Sequence, residues 1–251
     1  MTQTDKARLF ASLHRPGDPV ILYNAWDSGS AQAVAEAGAK AIATGSASVA
    51  AAHGFHDAEA LPLDLALANA ARVVASVDLP VTIDFEGCYA LAPEPVGANV
   101  ARLAATGAIG CNFEDQVIGG EGLHPVAFQA ERIRSARAAA GPDFFLNART
   151  DIFLKAKAEA HDAAKVDEAL ERARAYAQAG ASGFFAPGLA DLVLLERLCA
   201  ASPLPVNFMA FPGAPPAAEV ASAGVARISH GPFPYRLAMK ALKAAALEIY
   251  R

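Results

Sequence analysis

The chain has 251 residues, 54% of them hydrophobic, and a formal net charge of −5 at pH 7. This length suits one large domain with a substantial buried core, and we expect residues 1–251 to form a single domain. The acidic balance disfavours nucleic acid, whose binding needs clustered Lys and Arg, and no apolar run approaches the roughly 20 residues of a membrane span. Because the N-terminus lacks a signal-peptide core and the three cysteines lack metal-type spacing, we expect a cytoplasmic protein with reduced thiols.

Strand-like apolar runs alternate with helical segments along the chain, after a short leading helix predicted over 5–16. The predicted strands are 20–24, 41–46, 81–86, 109–114, 144–149, 183–187, 206–210 and 226–229. The predicted helices lie near 28–37, 64–77, 96–106, 126–140, 163–179, 190–201, 216–223 and 233–250. Near-continuous apolar strands separated by helices indicate a parallel sheet covered by helices.

Two kinds of turn mark a repeat along the chain. A Pro-containing turn precedes four of the apolar runs, as in Asp78-Leu79-Pro80-Val81. A Gly that ends a helix precedes the other four, because Gly adopts the left-handed conformation there at little cost. These glycines are Gly38, Gly107, Gly180 and Gly224. The eight resulting units favour a closed (β/α)8 TIM barrel over an open doubly wound sheet, and no G-x-G-x-x-G follows any strand.

Polar side chains collect at the C-terminal ends of the predicted strands, where a barrel of this kind has its active site. The opposite ends carry mostly Pro, Gly and Ala, so the asymmetry predicts an enzyme. The strand-end set is Asn24, Trp26, Asp27, Thr44, Ser46, Asp84, Glu86, Glu114, Asp115, Asn147, Arg149, Asp151, Pro187, Asn207, Met209, Ser229 and His230.

Two carboxylates end the third predicted strand. Asp84 and Glu86 are two residues apart, so both point to one side of the strand, about 7 Å apart along the backbone. Burying two like charges is costly without a cation, and with Glu114 on the next strand the oxygen-only set suits Mg²⁺ (or Mn²⁺) rather than Zn²⁺. We expect Asp84 to bind the metal directly, with Glu86 and Glu114 holding metal-bound waters. The alternative is a strand end open to solvent, whose carboxylates cap helices.

The remaining strand-end residues allow more than one role. Arg149 is the one basic residue of the set and suits a bidentate clamp on a carboxylate or phosphate. It can equally form a salt bridge to Glu114 or Asp151, and both roles can hold together. Trp26 either walls the substrate pocket or fills the barrel mouth. Asn207 either binds an anion or satisfies backbone groups.

Several of these residues lie in motifs that resemble the isocitrate lyase/phosphoenolpyruvate mutase superfamily. The resemblance covers about 24–239. The motifs are Asn24-Ala25-Trp26-Asp27-Ser28-Gly29-Ser30-Ala31, Gly54-Phe55-His56-Asp57, Asp84-Phe85-Glu86-Gly87-Cys88-Tyr89, Phe113-Glu114-Asp115-Gln116, Asn147-Ala148-Arg149-Thr150-Asp151 and Asn207.

The resemblance implies a barrel whose last helix is exchanged between paired subunits, hence a homodimer or homotetramer, and a Mg²⁺ ion that binds a 2-oxo acid or its enolate. By position, Asp84 resembles the direct metal ligand, and Glu86 and Glu114 resemble the water-mediated shell. Arg149 resembles the residue that binds the substrate carboxylate or stabilises developing charge, and we expect Arg149 and Glu114 to be catalytic. Substrate-pocket or supporting positions are matched by Trp26, Ser46, Asp57 and Asn207.

The chain departs from the superfamily in the Gly-rich loop 116–125, which follows the fourth strand and is typical of a closing lid. A floppy surface loop is the alternative. Isocitrate and methylisocitrate lyases carry a Lys-Lys/Arg-Cys-Gly-His lid there, whereas residues 117–124 contain neither Cys nor Lys. The Lys and Asn of the phosphonate-forming mutases are not evident either. Glu86 also replaces an Asp, and the hydroxyl in Gly45-Ser46-Ala47 is displaced by one position.

We therefore predict a Mg²⁺-dependent lyase or decarboxylase that cleaves a C–C bond in a small 2-oxo or 2-hydroxy dicarboxylate through an enolate. The same-fold alternative is a C–P bond enzyme, either a phosphonopyruvate hydrolase or a phosphoenolpyruvate mutase-like protein. The alternative from a different class is a non-catalytic metabolite-binding barrel, because fold does not fix function.

Overall fold

The computed structural model describes residues 1–251 and contains eight parallel strands. They are β1 (Val20–Leu22), β2 (Ile42–Ala43), β3 (Val81–Asp84), β4 (Gly110–Glu114), β5 (Phe145–Arg149), β6 (Gly183–Phe185), β7 (Val206–Met209) and β8 (Arg227–Ser229). Their order in the sheet is β1-β8-β7-β6-β5-β4-β3-β2. Beyond the ends of β1 and β2, the Ala25 N–H donates to the Ala43 carbonyl at 2.8 Å and the Gly45 N–H to the Ala25 carbonyl at 3.3 Å. The sheet is thus a nearly closed barrel, which confirms the predicted (β/α)8 class.

Helices alternate with these strands. They are α1 (Gln3–Ser12), α2 (Ser28–Glu36), α3 (Ser46–Ala52), α4 (Leu63–Ser76), α5 (Pro93–Ala105), α6 (Val126–Ala140), α7 (Ala163–Gln178), α8 (Leu192–Ala201), α9 (Ala217–Ser222) and α10 (Phe233–Ile249), with a short 3-10 turn at Ala158–Ala160. The four glycines predicted to end helices have φ of +96°, +92°, +99° and +92°, in the left-handed region. No helix has the length and apolarity needed to cross a membrane.

Helix α1 seals the N-terminal end of the barrel. Phe10 is fully buried and packs edge-on against Phe145 of β5, with ring centroids 5.2 Å apart. His14, just after the helix, stacks on the other side of this contact, 4.2 Å from the Phe145 ring. Val20 and Leu22 of β1 join the same apolar cluster. The polar strand ends therefore lie at the opposite end of the barrel.

A buried polar layer separates this apolar plug from the strand ends. Asn147 Nδ2 and Arg227 Nη2 both donate to Asn112 Oδ1, at 2.9 and 3.3 Å. All three side chains are buried. Because the two donations fix the Asn112 amide, its Nδ2 points toward the end of β3.

The structure differs from the sequence prediction after β2, where residues 46–52 form helix α3 and the predicted strand 41–46 shrinks to two residues. The Ser46 N–H and hydroxyl both donate to Asp84 Oδ2, at 2.9 Å each. Asp84 thus caps a helix 38 residues away in sequence, a contact that local periodicity does not contain.

The apolar side of the final helix is compatible in sequence with packing on its own barrel or with exchange between subunits, and the structure bears on the first of these. Beyond Pro234 it buries none of its residues, and Leu237, Leu242 and Ile249 are 60%, 63% and 81% exposed. Its apolar stripe therefore does not pack on its own barrel.

Candidate active site

A cleft of ≈ 210 Å³ opens at the C-terminal end of the barrel. Each of the eight strands contributes a residue at or just beyond its end. In strand order these are Asn24, Ser46, Asp84, Asn112, Arg149, Phe185, Met209 and Ser229. The rest of the lining comes from loops, α3 and α10: Gly45, Ala47, Asp57, Leu154, Gly231, Pro232 and Arg236. Four predicted site residues, Ser46, Asp57, Asp84 and Arg149, therefore meet in one cavity.

Asp84 is held at both carboxylate oxygens. Ser46 donates twice to Oδ2, and Asn112 Nδ2 donates to Oδ1 at 3.1 Å. The Asp84 N–H donates to Thr44 Oγ1 at 3.0 Å, which fixes the backbone at the end of β3. A carboxylate restrained in this way keeps lone pairs for a ligand in the cleft without rotating.

Arg149 lies between two carboxylates. Its Nη1 is 2.7 Å from Glu114 Oε2, while Nε and Nη2 donate to both oxygens of Asp151 at 2.6 and 2.9 Å. Burial raises the pKa of Glu114 to about 7, although the charge of Arg149 opposes the shift. The two carboxylates outweigh the burial of Arg149 and raise its pKa, so it stays charged. Because two carboxylates share one cation, the group has an excess of negative charge. That excess is consistent with a raised pKa at both Glu114 and Arg149.

Glu86 points away from the cleft, toward a strained turn. Its Oε2 accepts the Glu59 N–H at 2.6 Å, and Glu59 Oε1 in return accepts the Tyr89 N–H at 2.7 Å. Burial, then the charges of Asp57 and Asp84, raises the pKa of Glu86 to about 9. The non-glycine residues with a positive φ all lie in two segments, the loop before α4 and the turn after β3. They are Ala58, Glu59, Glu86, Cys88 and Tyr89. Such strain is found where surrounding contacts over-determine the backbone.

Asp57 reaches the rim of the cleft. The residue as a whole is exposed, yet partial burial of its carboxyl group and the charge of Asp84 raise its pKa. The carboxylates at this end of the barrel thus repel one another. This repulsion favours either protonation of one of them or binding of a cation between them.

Three other strand-end residues lie outside the cleft. Trp26 packs beside Val49 and edge-on to Tyr235 of α10, with ring centroids 5.2 Å apart. Asn207 is buried inside the barrel, where its Nδ2 has no protein partner. Asp115 is fully buried in an ion pair with Arg172 at 3.0 Å and stabilises the fold.

The donor set fits one kind of metal ion. No three His, Cys, Asp or Glu side chains converge on a point, so the protein offers no closed cage of the kind that Zn²⁺ prefers. It offers one restrained carboxylate, Asp84, with amide and hydroxyl neighbours and further acids more distant. That arrangement suits Mg²⁺, which keeps most of its waters and takes one or two carboxylates directly.

Two polar cleft residues, Asn112 and Arg236, were missed from the sequence, as were the apolar residues Phe185 and Leu154. Asn112 lies two residues before Glu114 on a predicted strand, so the period of two would have placed it on the same face. Arg236 lies in the first turn of the final helix, which the βα order brings to the strand ends, but its place on the cleft depends on contacts between residues distant in sequence.

The Gly-rich loop after β4 forms a narrow hairpin. Its base is a bridge between Gln116 and Leu123, and its tip at 119–122 is exposed. A Cβ on Gly87 would lie 3.2 Å from Ile118 Cγ1, so the loop rests against the turn that follows β3. The base of the hairpin therefore lies beside Glu114 and the turn after β3, and its tip lies in solvent.

A (β/α)8 barrel with an acidic, arginine-containing cleft at its C-terminal strand ends has the architecture of a barrel enzyme. The chain matches the phosphoenolpyruvate phosphomutase family over residues 10–250. A Burkholderia cenocepacia structure provisionally described as a phosphonomutase superposes with a TM-score of 0.95 and is 51% identical, covering 98% of this chain and 99% of that one. An uncharacterized Mycobacterium tuberculosis protein is 33% identical over 96% of this chain and 88% of its own length. The 2-methylisocitrate lyase of Escherichia coli is 27% identical over 95% of this chain and 84% of its own length.

The chain therefore belongs to the phosphoenolpyruvate phosphomutase family, within the isocitrate lyase/phosphoenolpyruvate mutase superfamily. The resemblance predicted from its motifs is confirmed. The protein is an enzyme of the lyase and mutase type of that superfamily, acting on C–C or C–P bonds.

Proposed function

We propose that the protein is a Mg²⁺-dependent lyase or decarboxylase that cleaves a C–C bond in a small 2-oxo or 2-hydroxy dicarboxylate. The observation that supports this most directly is the restrained Asp84 carboxylate, which shares the cleft with Arg149. The cleft volume of ≈ 210 Å³ matches a compact substrate. The likeness to a 2-methylisocitrate lyase supports carbon–carbon cleavage.

The residues divide the task between them. Asp84 would hold Mg²⁺ (or Mn²⁺) directly and Glu114 would hold metal-bound waters; the same role for Glu86 would require its side chain to leave the Glu59 N–H and turn back toward the cleft. The bound ion would supply Lewis acidity at the C1 carboxylate and C2 oxygen of the substrate. Arg149 stabilises the negative charge of the enolate that remains when the bond breaks. Glu114 fixes Arg149 from behind, and its pKa of about 7 lets it hold or release a proton near neutrality. Phe185 and Leu154 give the cleft an apolar part of its lining.

A turnover screen tests the proposal. Purified protein is incubated with 2-oxo and 2-hydroxy dicarboxylates and with phosphonopyruvate, with and without Mg²⁺. Pyruvate from oxaloacetate, or an equivalent C–C cleavage product, supports the proposal. Asp84→Ala is expected to lower metal-dependent turnover at least about 100-fold, equivalent to about 2.7 kcal/mol of barrier. Asp64→Ala is the matched control, since Asp64 is 83% exposed on α4. Metal-dependent turnover that survives Asp84→Ala would refute the metal assignment.

The second candidate is C–P bond chemistry. The likeness to a structure provisionally described as a phosphonomutase favours it. The hairpin at 117–124 contains neither Cys nor Lys. It therefore lacks the Cys of the isocitrate-type lyase lid and the Lys of the phosphonate-forming mutase lid, and it favours neither reaction. Inorganic phosphate released from phosphonopyruvate in the same screen would favour this candidate.

We also propose that the protein is a homodimer or homotetramer that associates through α10. This 17-residue helix buries only Pro234, and its apolar residues Leu237, Leu242 and Ile249 face solvent in a single copy. Exchange of the helix between paired subunits, which the superfamily resemblance implies, would cover that stripe with a second copy of this chain.

A further inference from the structure

Arg236 carries an unpaired positive charge on the cleft. Arg149 and Arg236 are the two cations that line it. Arg149 is already bound to Glu114 and Asp151. No carboxylate lies within salt-bridge distance of Arg236, and its guanidinium lies 5.4 Å from the ring centroid of Phe233. Arg236 is therefore the cation that remains available to a ligand.

The first turn of α10 is fixed on the barrel, which holds Arg236 on the border between the cleft and a neighbouring groove that Phe233 lines. Asn24 Oδ1 accepts the backbone N–H groups of His230 and Gly231 at 2.8 and 3.0 Å and so holds the turn between β8 and α10. Pro234 is buried, and Tyr235 packs edge-on against Trp26. The direction of Arg236 therefore comes from contacts made by its neighbours.

The charges on the cleft are unevenly placed. Asp84 and Asp57 make one part acidic, and a divalent cation at Asp84 would offset that charge and take the carboxylate end of a substrate. A second anionic group at the far end of the substrate would meet repulsion near Asp57. It finds a complementary charge at Arg236, whose planar guanidinium suits two-point binding of a carboxylate or phosphonate.

We propose that Arg236 is the specificity-determining residue of this enzyme and that it selects substrates with a second anionic group distal to the 2-oxo or 2-hydroxy acid. The inference rests on the proposed function and adds the residue that recognises the far end of the substrate. Asn24 and Trp26 are positioning residues for it, because they hold the turn and the helix that carry it.

Three compounds with one 2-hydroxy acid end test the proposal. They are lactate, malate and 2-hydroxy-3-phosphonopropionate, which carry respectively no distal anion, a carboxylate and a phosphonate. Binding to the full-length protein is measured by calorimetry with and without Mg²⁺. Because binding is measured without turnover, the result does not depend on which bond the enzyme breaks.

We expect the wild type to bind the preferred dianion at least about 10-fold more tightly than lactate. Arg236→Gln should remove that preference while changing lactate affinity less than about 2-fold. Arg236→Lys, which keeps the charge and loses the fork geometry, should retain part of the preference. Lys240→Gln is the matched control, one turn further along the same helix and outside the cleft, and should bind as the wild type. If malate loses more affinity than 2-hydroxy-3-phosphonopropionate in Arg236→Gln, the distal group that Arg236 recognises is a carboxylate. The opposite order identifies it as a phosphonate.

Two results would overturn the assignment. Equal weakening of lactate and both dianions in Arg236→Gln would show a general effect on the cleft, and unchanged dianion affinity would show no contact. Failure of the wild type to bind any of the three in Mg²⁺, or the corresponding 2-oxo acids pyruvate, oxaloacetate and phosphonopyruvate, would instead refute the proposed function itself, and the assignment of Arg236 with it.

Discussion

Arg149, Glu114 and Asp151 form an ion group whose stability depends on all three members. The exposed fractions of the three side chains are 15%, 2% and 3%, so water screens the charges poorly. Removing charges from water is costly, and the attraction within such a group repays that cost only when each charge keeps its partners. A catalytic role for Arg149 is therefore tied to the stability of the strand ends on which it lies.

Replacing the shared cation should destabilise the fold strongly. Arg149→Met leaves two buried carboxylates without a partner, and we expect the free energy of unfolding in urea to fall by about 3–5 kcal/mol. Arg102→Met breaks a pair with Asp64 whose side chains are 50% and 83% exposed, and should cost at most about 1 kcal/mol. Equal losses of unfolding free energy in Arg149→Met and Arg102→Met would contradict a larger cost for breaking the buried ion group than for breaking the exposed pair.

At the residue scale, the sequence predicted part of the cleft. The strand period and the clustering of polar strand ends indicated Ser46, Asp84 and Arg149, and the structure places them in one cavity with Asp57. The direction of a side chain just beyond a strand end depends on its neighbours in space, so a pattern along the chain does not determine it. Trp26 turns to Tyr235 for that reason, and Glu86 turns to the Glu59 N–H.

At the element scale, the turn after β3 and the loop before α4 hold each other in left-handed conformations. Glu86 Oε2 accepts the Glu59 N–H, Glu59 Oε1 accepts the Tyr89 N–H, and Arg132 Nη2 donates to the Gly87 carbonyl from the other side at 2.7 Å. The strain is therefore opposed by hydrogen bonds on two faces, of which the bond from Arg132 is charge-assisted.

Relieving one strained position should stabilise the protein. Ala58 has φ +69° and an exposed side chain, so Ala58→Gly removes the left-handed cost of about 1–2 kcal/mol and adds the larger backbone entropy of unfolded Gly. We expect a net gain of up to about 1 kcal/mol, raising Tm by about 2–4 °C. Ala98→Gly on the exposed face of α5 should instead lower Tm by a similar amount. Shifts of the same sign in both variants would contradict the strain.

The plug formed by α1 contains a pH-dependent residue. Burial, and then the charge of Arg227, lowers the pKa of His14 from an ordinary 6.5 to about 3. Below pH 6.5 the unfolded chain binds a proton that the folded protein does not, so stability present above pH 6.5 is lost as the pH falls toward 3.

His14→Gln should flatten this dependence. Gln retains a donor for the Phe10 carbonyl, which His14 Nδ1 contacts at 2.8 Å, but it does not titrate. Urea unfolding at pH 7 and pH 5 should show that the wild type loses up to about 2 kcal/mol more than the variant between these pH values. Parallel losses in the two proteins would show that His14 is not the titrating group.

At the scale of the whole molecule, the proposed association of two chains through α10 predicts a change in oligomeric state when its apolar stripe is altered. Leu242→Glu places a charge on the proposed interface, and we expect it to shift the wild-type oligomer toward monomer by at least about 10-fold in dissociation constant. Leu91→Glu is the control, because Leu91 is 65% exposed in a loop outside α10. Sedimentation over a range of protein concentrations distinguishes them. A wild type that remains monomeric throughout would refute association through α10.

The whole barrel was more predictable than its details. Alternating Pro turns and helix-ending glycines gave eight βα units, because those residues impose their backbone angles locally. Helix α3 was not predicted, since its first turn depends on a bond from Ser46 to Asp84 on another strand. Arg236 was missed for the same reason, because its place on the cleft is set by contacts of Asn24 and Trp26 with distant residues.

Helix α10 presents Arg236 from its first turn and an uncovered apolar stripe from the rest. If substrate at Arg236 and a second chain on the apolar stripe favour the same conformation of α10, each event lowers the free-energy cost of the other, and the two are thermodynamically linked. Substrate would then drive assembly, and dilution would weaken substrate affinity by the same factor. An enzyme built this way responds to its own concentration in the cell as well as to that of its substrate.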